Sequence, residues 1–163
     1  MSLELKLANG TPGALSEIKT LFGEYTGYLC QTDPGFARFL CMQNYDDELE
    51  NLDAKYALPG GRLYIAYLGN QAAGCIALRK MSETQCEMKR LYVRPEFRGA
   101  GVAKALAEQI IADAKALSYR SIWLDTLPVL GEAIKLYEKL GFARCESYNN
   151  SPIAGAVFMK REI

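Results

Sequence analysis

Between Arg94 and Ala103 the chain reads Arg-Pro-Glu-Phe-Arg-Gly-Ala-Gly-Val-Ala, and no other segment is so suggestive of chemistry. Gly99 and Gly101 bare the backbone where a long amphipathic helix begins. The first amides of a helix have no partner inside it, and the helix dipole adds partial positive charge there. Such a place takes a phosphate group. From Glu87 to Lys104, the basic residues Lys89, Arg90, Arg94, Arg98 and Lys104 stand against Glu87 and Glu96, a local excess of +3. A Walker A loop would need Gly-Lys-Ser/Thr, and a dinucleotide fingerprint would need glycine where Lys104 stands. Both nucleotide readings fail.

What remains is an Arg-x-x-Gly-x-Ala pattern, filled by Arg98, Gly101 and Ala103, with Arg94-Pro95 just upstream. It resembles the acyl-CoA pyrophosphate loop of the GNAT superfamily of N-acetyltransferases. Two more segments share the resemblance, in family order. Glu87 to Val93, Glu-Met-Lys-Arg-Leu-Tyr-Val, is similar to the strand before that loop. Ala133 to Phe142, Ala-Ile-Lys-Leu-Tyr-Glu-Lys-Leu-Gly-Phe, is similar to a helix that follows it. The likeness runs from about Leu3 to Ile163 and is weakest between Gln31 and Gly61.

The resemblance implies acetyl-CoA as the cofactor, with no metal. Leu91, Tyr92 and Val93 of the strand would contact it. So would Arg98, Gly99, Ala100, Gly101, Val102 and Ala103 of the loop. Tyr137 would act as the acid for the leaving thiolate. Glu87 has two readings: a general base, acting through a water, or a salt-bridge partner of Lys89 or Arg90. The acceptor site would draw on Tyr25, Tyr28, Phe36, Tyr148 and Asn149. Its occupant is expected to be a small or amino-acid-like primary amine. Acetylation of a protein or peptide amine, and a non-catalytic acyl-CoA sensor, are the alternatives. Leu130 departs from the family, which often has Asn there for the cofactor, and Ser118 stands where a helix-ending glycine is usual.

The elements that must hold these residues follow from periodicity. Leu3 to Leu7 alternates like a half-exposed strand, and Leu15, Ile18, Leu21, Phe22 and Tyr25 mark a helix from Ala14 to about Tyr28. A second helix is predicted from Phe36 to Ala57. Strands follow at Leu63 to Leu68, Ala72 to Lys80 and Gln85 to Val93. Helices are predicted from Gly101 to Leu117 and from Gly131 to Leu140, with Phe142 placed for a Schellman contact after Gly141. Ser121 to Thr126, Ala143 to Tyr148 and Ala156 to Arg161 complete the strands. The fold class is α/β (α+β): one domain over residues 1–163, with a mixed, largely antiparallel sheet of about seven strands and helices on both faces. Within Gln85 to Val93, Cys86 and Met88 are apolar at even positions but Leu91 and Val93 at odd ones. One extra residue near Lys89 and Arg90, a β-bulge, would return all four to one face; burial on both faces is the alternative.

Composition narrows the classes. Nineteen basic residues cancel nineteen acidic ones, which argues against nucleic acid or an anionic membrane as partner. No apolar run approaches the ~18 residues of a membrane span, and Met1 to Gly10 has no signal-like apolar block. Histidine is absent, which removes Ser-His-Asp and Cys-His catalysis and the common His-containing zinc sites. Cys30, Cys41, Cys75, Cys86 and Cys145 form no Cys-x-x-Cys pair and are expected to be reduced, buried thiols in a cytoplasmic protein. No covalent enzyme intermediate is expected, since neither Cys75 nor Cys86 has a histidine to activate it. The acidic run Asp46, Asp47, Glu48, Glu50 and Asp53 is either a solvated helix face or a lure for a cationic amine. A homodimer is left open.

Overall fold

The computed structural model describes residues 2–33, 35–37, 44–149, 151, 153 and 155–163. Strand β1 spans Leu3–Leu7 and helix α1 Pro12–Thr32. Pro12 suits a first helical turn, and the helix runs on past Tyr28 until the backbone turns extended at Asp33. The predicted second helix is broken up: residues 35–37 are helical, and two short helices follow, α2 at Tyr45–Glu50 and α3 at Leu52–Lys55. Asn44 sits in the left-handed region and starts α2 afresh, and Asn51 leaves helical geometry between them. Residues 38–43 of that prediction lie outside the described residues.

Strands β2 (Arg62–Leu68), β3 (Gln71–Lys80) and β4 (Gln85–Val93) form an antiparallel meander. A short 3-10 turn at Pro95–Phe97 leads to α4, Val102–Ala116. Then come β5 (Ser121–Thr126), α5 (Gly131–Lys139), β6 (Ala143–Cys145) and β7 (Val157–Glu162). The predicted strand through Tyr148 stops at Cys145, because Tyr148 leaves the sheet edge to donate a 2.6 Å hydrogen bond to Glu87. The seven strands lie in the order β1-β2-β3-β4-β5-β7-β6, and only β4 and β5 pair in parallel. One face packs Leu106, Ile110 and Ala114 of α4 with Ile76, Leu78 and Ile122 of the sheet. The other packs Ile18, Leu21 and Phe22 of α1 with Leu63, Ile65 and Ala77.

Both long-range motif helices end in Schellman turns. After α5, Phe142 N–H donates to the Tyr137 carbonyl at 3.0 Å and Gly141 N–H to Glu138 at 3.1 Å, with the Tyr137 and Phe142 rings 5.9 Å apart. After α4, Tyr119 and Ser118 repeat the pattern onto Ala114 and Lys115. Here Ser118 carries the left-handed φ of 66°. A side chain in that region costs about 1–2 kcal/mol, while glycine adds about 0.5–1 kcal/mol of unfolded-state entropy. Ser118→Gly is therefore expected to stabilise the fold by about 0.5–1 kcal/mol, read as a higher urea midpoint with an unchanged slope.

Candidate active site

The site begins with a fault in β4. Cys75 faces Tyr92 and Ala77 faces Lys89, so Arg90 and Leu91 together oppose Ile76 alone. Arg90 takes a left-handed φ of 62°, as the first residue of such a bulge can. Cys86, Met88, Leu91 and Val93 consequently all join the core beneath α4, the parity change read from the sequence. The bulge also frees β4 from its other neighbour. Pairing with β5 is confined to Gln85–Ser121, Cys86–Ile122 and Glu87–Trp123. Beyond Glu87 the two strands have no further pairing, and a gap opens at the middle of the sheet.

A cleft of about 450 Å3 occupies one side of that gap. Leu91, Tyr92 and Val93 line it, as do Arg98, Gly99, Gly101, Val102 and Ala103. Ala100 is exposed and lies outside the lining. Gly99 and Gly101 have φ of 84° and 81°, and a Cβ at either would stand in open space. Gly101 caps α4 with no side-chain hydrogen bond to its first turn. Those amides are left for a ligand, so the bare backbone, the unpaired donors and the Arg98 charge fit a pyrophosphate. The local charge is smaller than the sequence suggests. Arg94 is tied to Glu24 at 3.0 and 2.7 Å and to the Ala72 carbonyl, and Arg90 is tied to Glu48. Arg98 and Lys104 are the cations that reach the cleft.

A smaller pocket lies on the other side of the gap and meets the cleft at Tyr25, Leu91 and Tyr137. Tyr25 and Phe36 line it, as the sequence proposes. Tyr28 lines the larger cleft instead and is half exposed. Tyr148 and Asn149 are turned inward, Tyr148 to Glu87 and Asn149 to Asp125 at 2.9 Å. Tyr137 is buried, and burial raises its hydroxyl well above the usual phenol range, so it keeps its proton. Glu87 is also buried but does not line the pocket. Its Oε1 accepts from Arg79 at 3.0 Å and lies 3.8 Å from Lys89, and its Oε2 accepts from Tyr148. Burial alone would raise its pKa. The Lys89 charge, the Tyr148 hydrogen bond and Arg79 outweigh that and hold it below the usual carboxylate range.

Three charged residues, two in the pocket and one behind it, have positions that the sequence does not assign. Lys89 and Asp125 place opposite charges in the same pocket, with Thr126 beside Asp125. The third, Glu48, acts from behind. Most of the acidic run is exposed, but Glu48 is buried. Its carboxylate takes Arg90 at 2.9 Å on each oxygen, Lys55 at 2.6 Å and the Tyr56 hydroxyl at 2.8 Å. The thiols divide: Cys75 and Cys86 are buried, Cys30 and Cys145 are partly exposed against expectation, and Cys41 lies outside the described residues. Burial pushes the Cys86 thiol up to about 12, which leaves no thiolate for nucleophilic work.

The model of the acetyltransferase (GNAT) family matches residues 29–142. An uncharacterized N-acetyltransferase of Schizosaccharomyces pombe is 39% identical over 154 residues, covering 93% of this chain and 90% of its own. The N-acetylaspartate synthetase of Homo sapiens is 38% identical over 85 residues, which are 52% of this chain and 28% of that protein. Among solved structures, the PaiA N-acetyltransferase of Thermoplasma acidophilum in complex with coenzyme A has a TM-score of 0.77 over the full length of both chains at 16% identity. That last likeness speaks for the fold.

Proposed function

We propose a reaction for this chain, which belongs to the acetyltransferase (GNAT) family: transfer of the acetyl group of acetyl-CoA to the primary amine of a small acceptor. The observation that carries the reading is the meeting of two pockets, a phosphate-ready cleft and a smaller charged one, at Tyr25, Leu91 and Tyr137. Bound acetyl-CoA supplies an acetyl thioester, whose C–S bond breaks as the amine nitrogen takes the acetyl carbon, with one proton released from the ammonium. The loop from Arg98 to Ala103 holds the pyrophosphate. The β4 bulge releases backbone groups from the ladder, and an N–H there stabilises the oxyanion. Tyr137 delivers a proton to the departing sulfur and regains one from the attacking nitrogen as the amide forms, so one proton ends on the thiol and the other is the one released.

Two carboxylates compete for the ammonium proton. Asp125 lines the pocket, and among the described residues only its Oδ2 is engaged, by Asn149. Glu87 has both oxygens occupied. We therefore assign the proton to Asp125, and to Glu87 the holding of Lys89 and Tyr148, the ion-pair side of its two readings. The small pocket and the N-acetylaspartate synthetases among the relatives support a small acceptor over a protein amine. The free thiols suit the cytoplasm, where we place the enzyme. Among the described residues, no helix is long and apolar enough to cross a membrane.

A panel of small amines, amino acids and folded proteins with acetyl-CoA, read by thiol release, tests the proposal. Turnover of folded proteins alone would overturn it. Tyr137→Phe is expected to lower kcat about tenfold across the whole working pH range, because the buried hydroxyl keeps its proton throughout. The loss is modest because a thiol with a pKa of about 8.5 already leaves well.

A further inference from the structure

We infer that Lys89 is the seat of an acceptor carboxylate, so that the acceptor is a small amino acid rather than a plain amine. The inference rests on the acetyltransferase reading above and deepens it. Lys89 sits immediately before the bulge, and its side chain is 6% exposed. Among the described residues its ammonium makes no hydrogen bond, and its ion pair is with Glu87 at 3.8 Å, beyond hydrogen-bond length. Three donors on a nearly buried cation are therefore left facing the pocket that Lys89 lines. That ammonium keeps some exposure to the pocket, and in so enclosed a place an arriving carboxylate would gain a charge-assisted contact with it.

The surroundings choose among anions. The guanidinium of the neighbouring Arg90 is committed to Glu48 on two atoms and lies 5.3 Å from the Tyr45 ring centre. Glu87 is spread over Arg79 and Tyr148, so it neutralises Lys89 only in part. Across the gap, Asp125 presents a carboxylate to the same pocket. A phosphate dianion would meet one cation and one repelling carboxylate. A zwitterion meets a partner at each end, its carboxylate on Lys89 and its ammonium on Asp125. Burial, helped by Arg90 and opposed by Glu87 and Asp125, lowers Lys89 to about 8, so it still carries its charge at neutral pH.

Matched acceptors test this: glycine against glycinamide and methylamine, and aspartate and alanine against their amides, each with acetyl-CoA. The native enzyme is expected to favour acid over amide in kcat/KM by about 10–150-fold, the size of one charge-assisted contact. In Lys89→Met the acid-to-amide ratio should fall toward one, and in Lys89→Arg most of it should return. A merely structural lysine would lower both acceptors alike and leave the ratio standing, which overturns the inference. So does a native enzyme that prefers amides or methylamine, a result that needs no variant to fold. Absence of thiol release with every amine would instead overturn the transferase reading beneath it.

Discussion

Glu48→Gln is expected to cost about 3–5 kcal/mol of folding stability at neutral pH, the usual penalty for stranding a buried charge. Glu48 is 4% exposed and is the one carboxylate shared by Arg90, Lys55 and Tyr56. Glutamine keeps the shape and leaves the buried Arg90 and the partly buried Lys55 facing a neutral amide. The damage should reach function, because Arg90 holds a left-handed φ of 62° at the bulge that opens the site. The same residue sets an acid limit. Burial alone would raise the Glu48 pKa, but Arg90 and Lys55 override it and hold it at about 2. A folded-state pKa below the unfolded value gives stability that is present above about pH 4.5 and lost as pH falls toward 2. Native protein should lose about 3 kcal/mol through this group across that window, and Glu48→Gln should lack that share of the slope. Urea melts of both proteins from pH 7 to pH 2 measure the two effects together. Equal stabilities at pH 7 would show that Glu48 is dispensable.

Much of this arrangement is local and therefore legible in sequence. The loop from Arg98 to Ala103 carries its glycines where the backbone turns left-handed, and both the bulge and the turn at Phe142 follow from the spacing of apolar residues. Residues joined by long-range contacts were less legible. Glu48 lies 42 positions from Arg90, and nothing in the acidic run separates it from its exposed neighbours Asp46 and Asp47. The broken helix at Asn51 and the departure of Tyr148 from β6 have the same origin, since both depend on what tertiary contacts offer. Asp125 looked like one polar residue in a buried strand. The role proposed for it depends on β4 leaving β5 after Glu87, which no pattern within β5 records. The local charge excess near the loop dissolved for a related reason: Glu24, 70 positions from Arg94, claims that side chain. Composition counts charges without knowing which are paired.

Gly101→Val should weaken CoA binding more than Arg98→Ala does, by more than a hundredfold. Arg98→Ala removes one charge-assisted phosphate contact, worth about 1.5–3 kcal/mol, or about 10–150-fold in affinity. The backbone donors at the start of α4 remain in that variant. Gly101 controls those donors. Its φ of 81° turns the chain into the helix, and the open space around its missing Cβ is the space that a pyrophosphate on those amides would need. Valine there does two separable things. It strains a left-handed position by about 1–2 kcal/mol, which lowers stability in the absence of any ligand. It also puts two methyl groups between the ligand and the amides, which affects binding alone. Gly101→Ala carries the same backbone strain with less bulk, so the difference between the two substitutions isolates the steric part. Calorimetry with CoA on the native protein and the three variants, each shown to be folded by circular dichroism, gives the order. Native affinity in a folded Gly101→Val protein would remove the phosphate from this loop, and with it the assignment of the cleft.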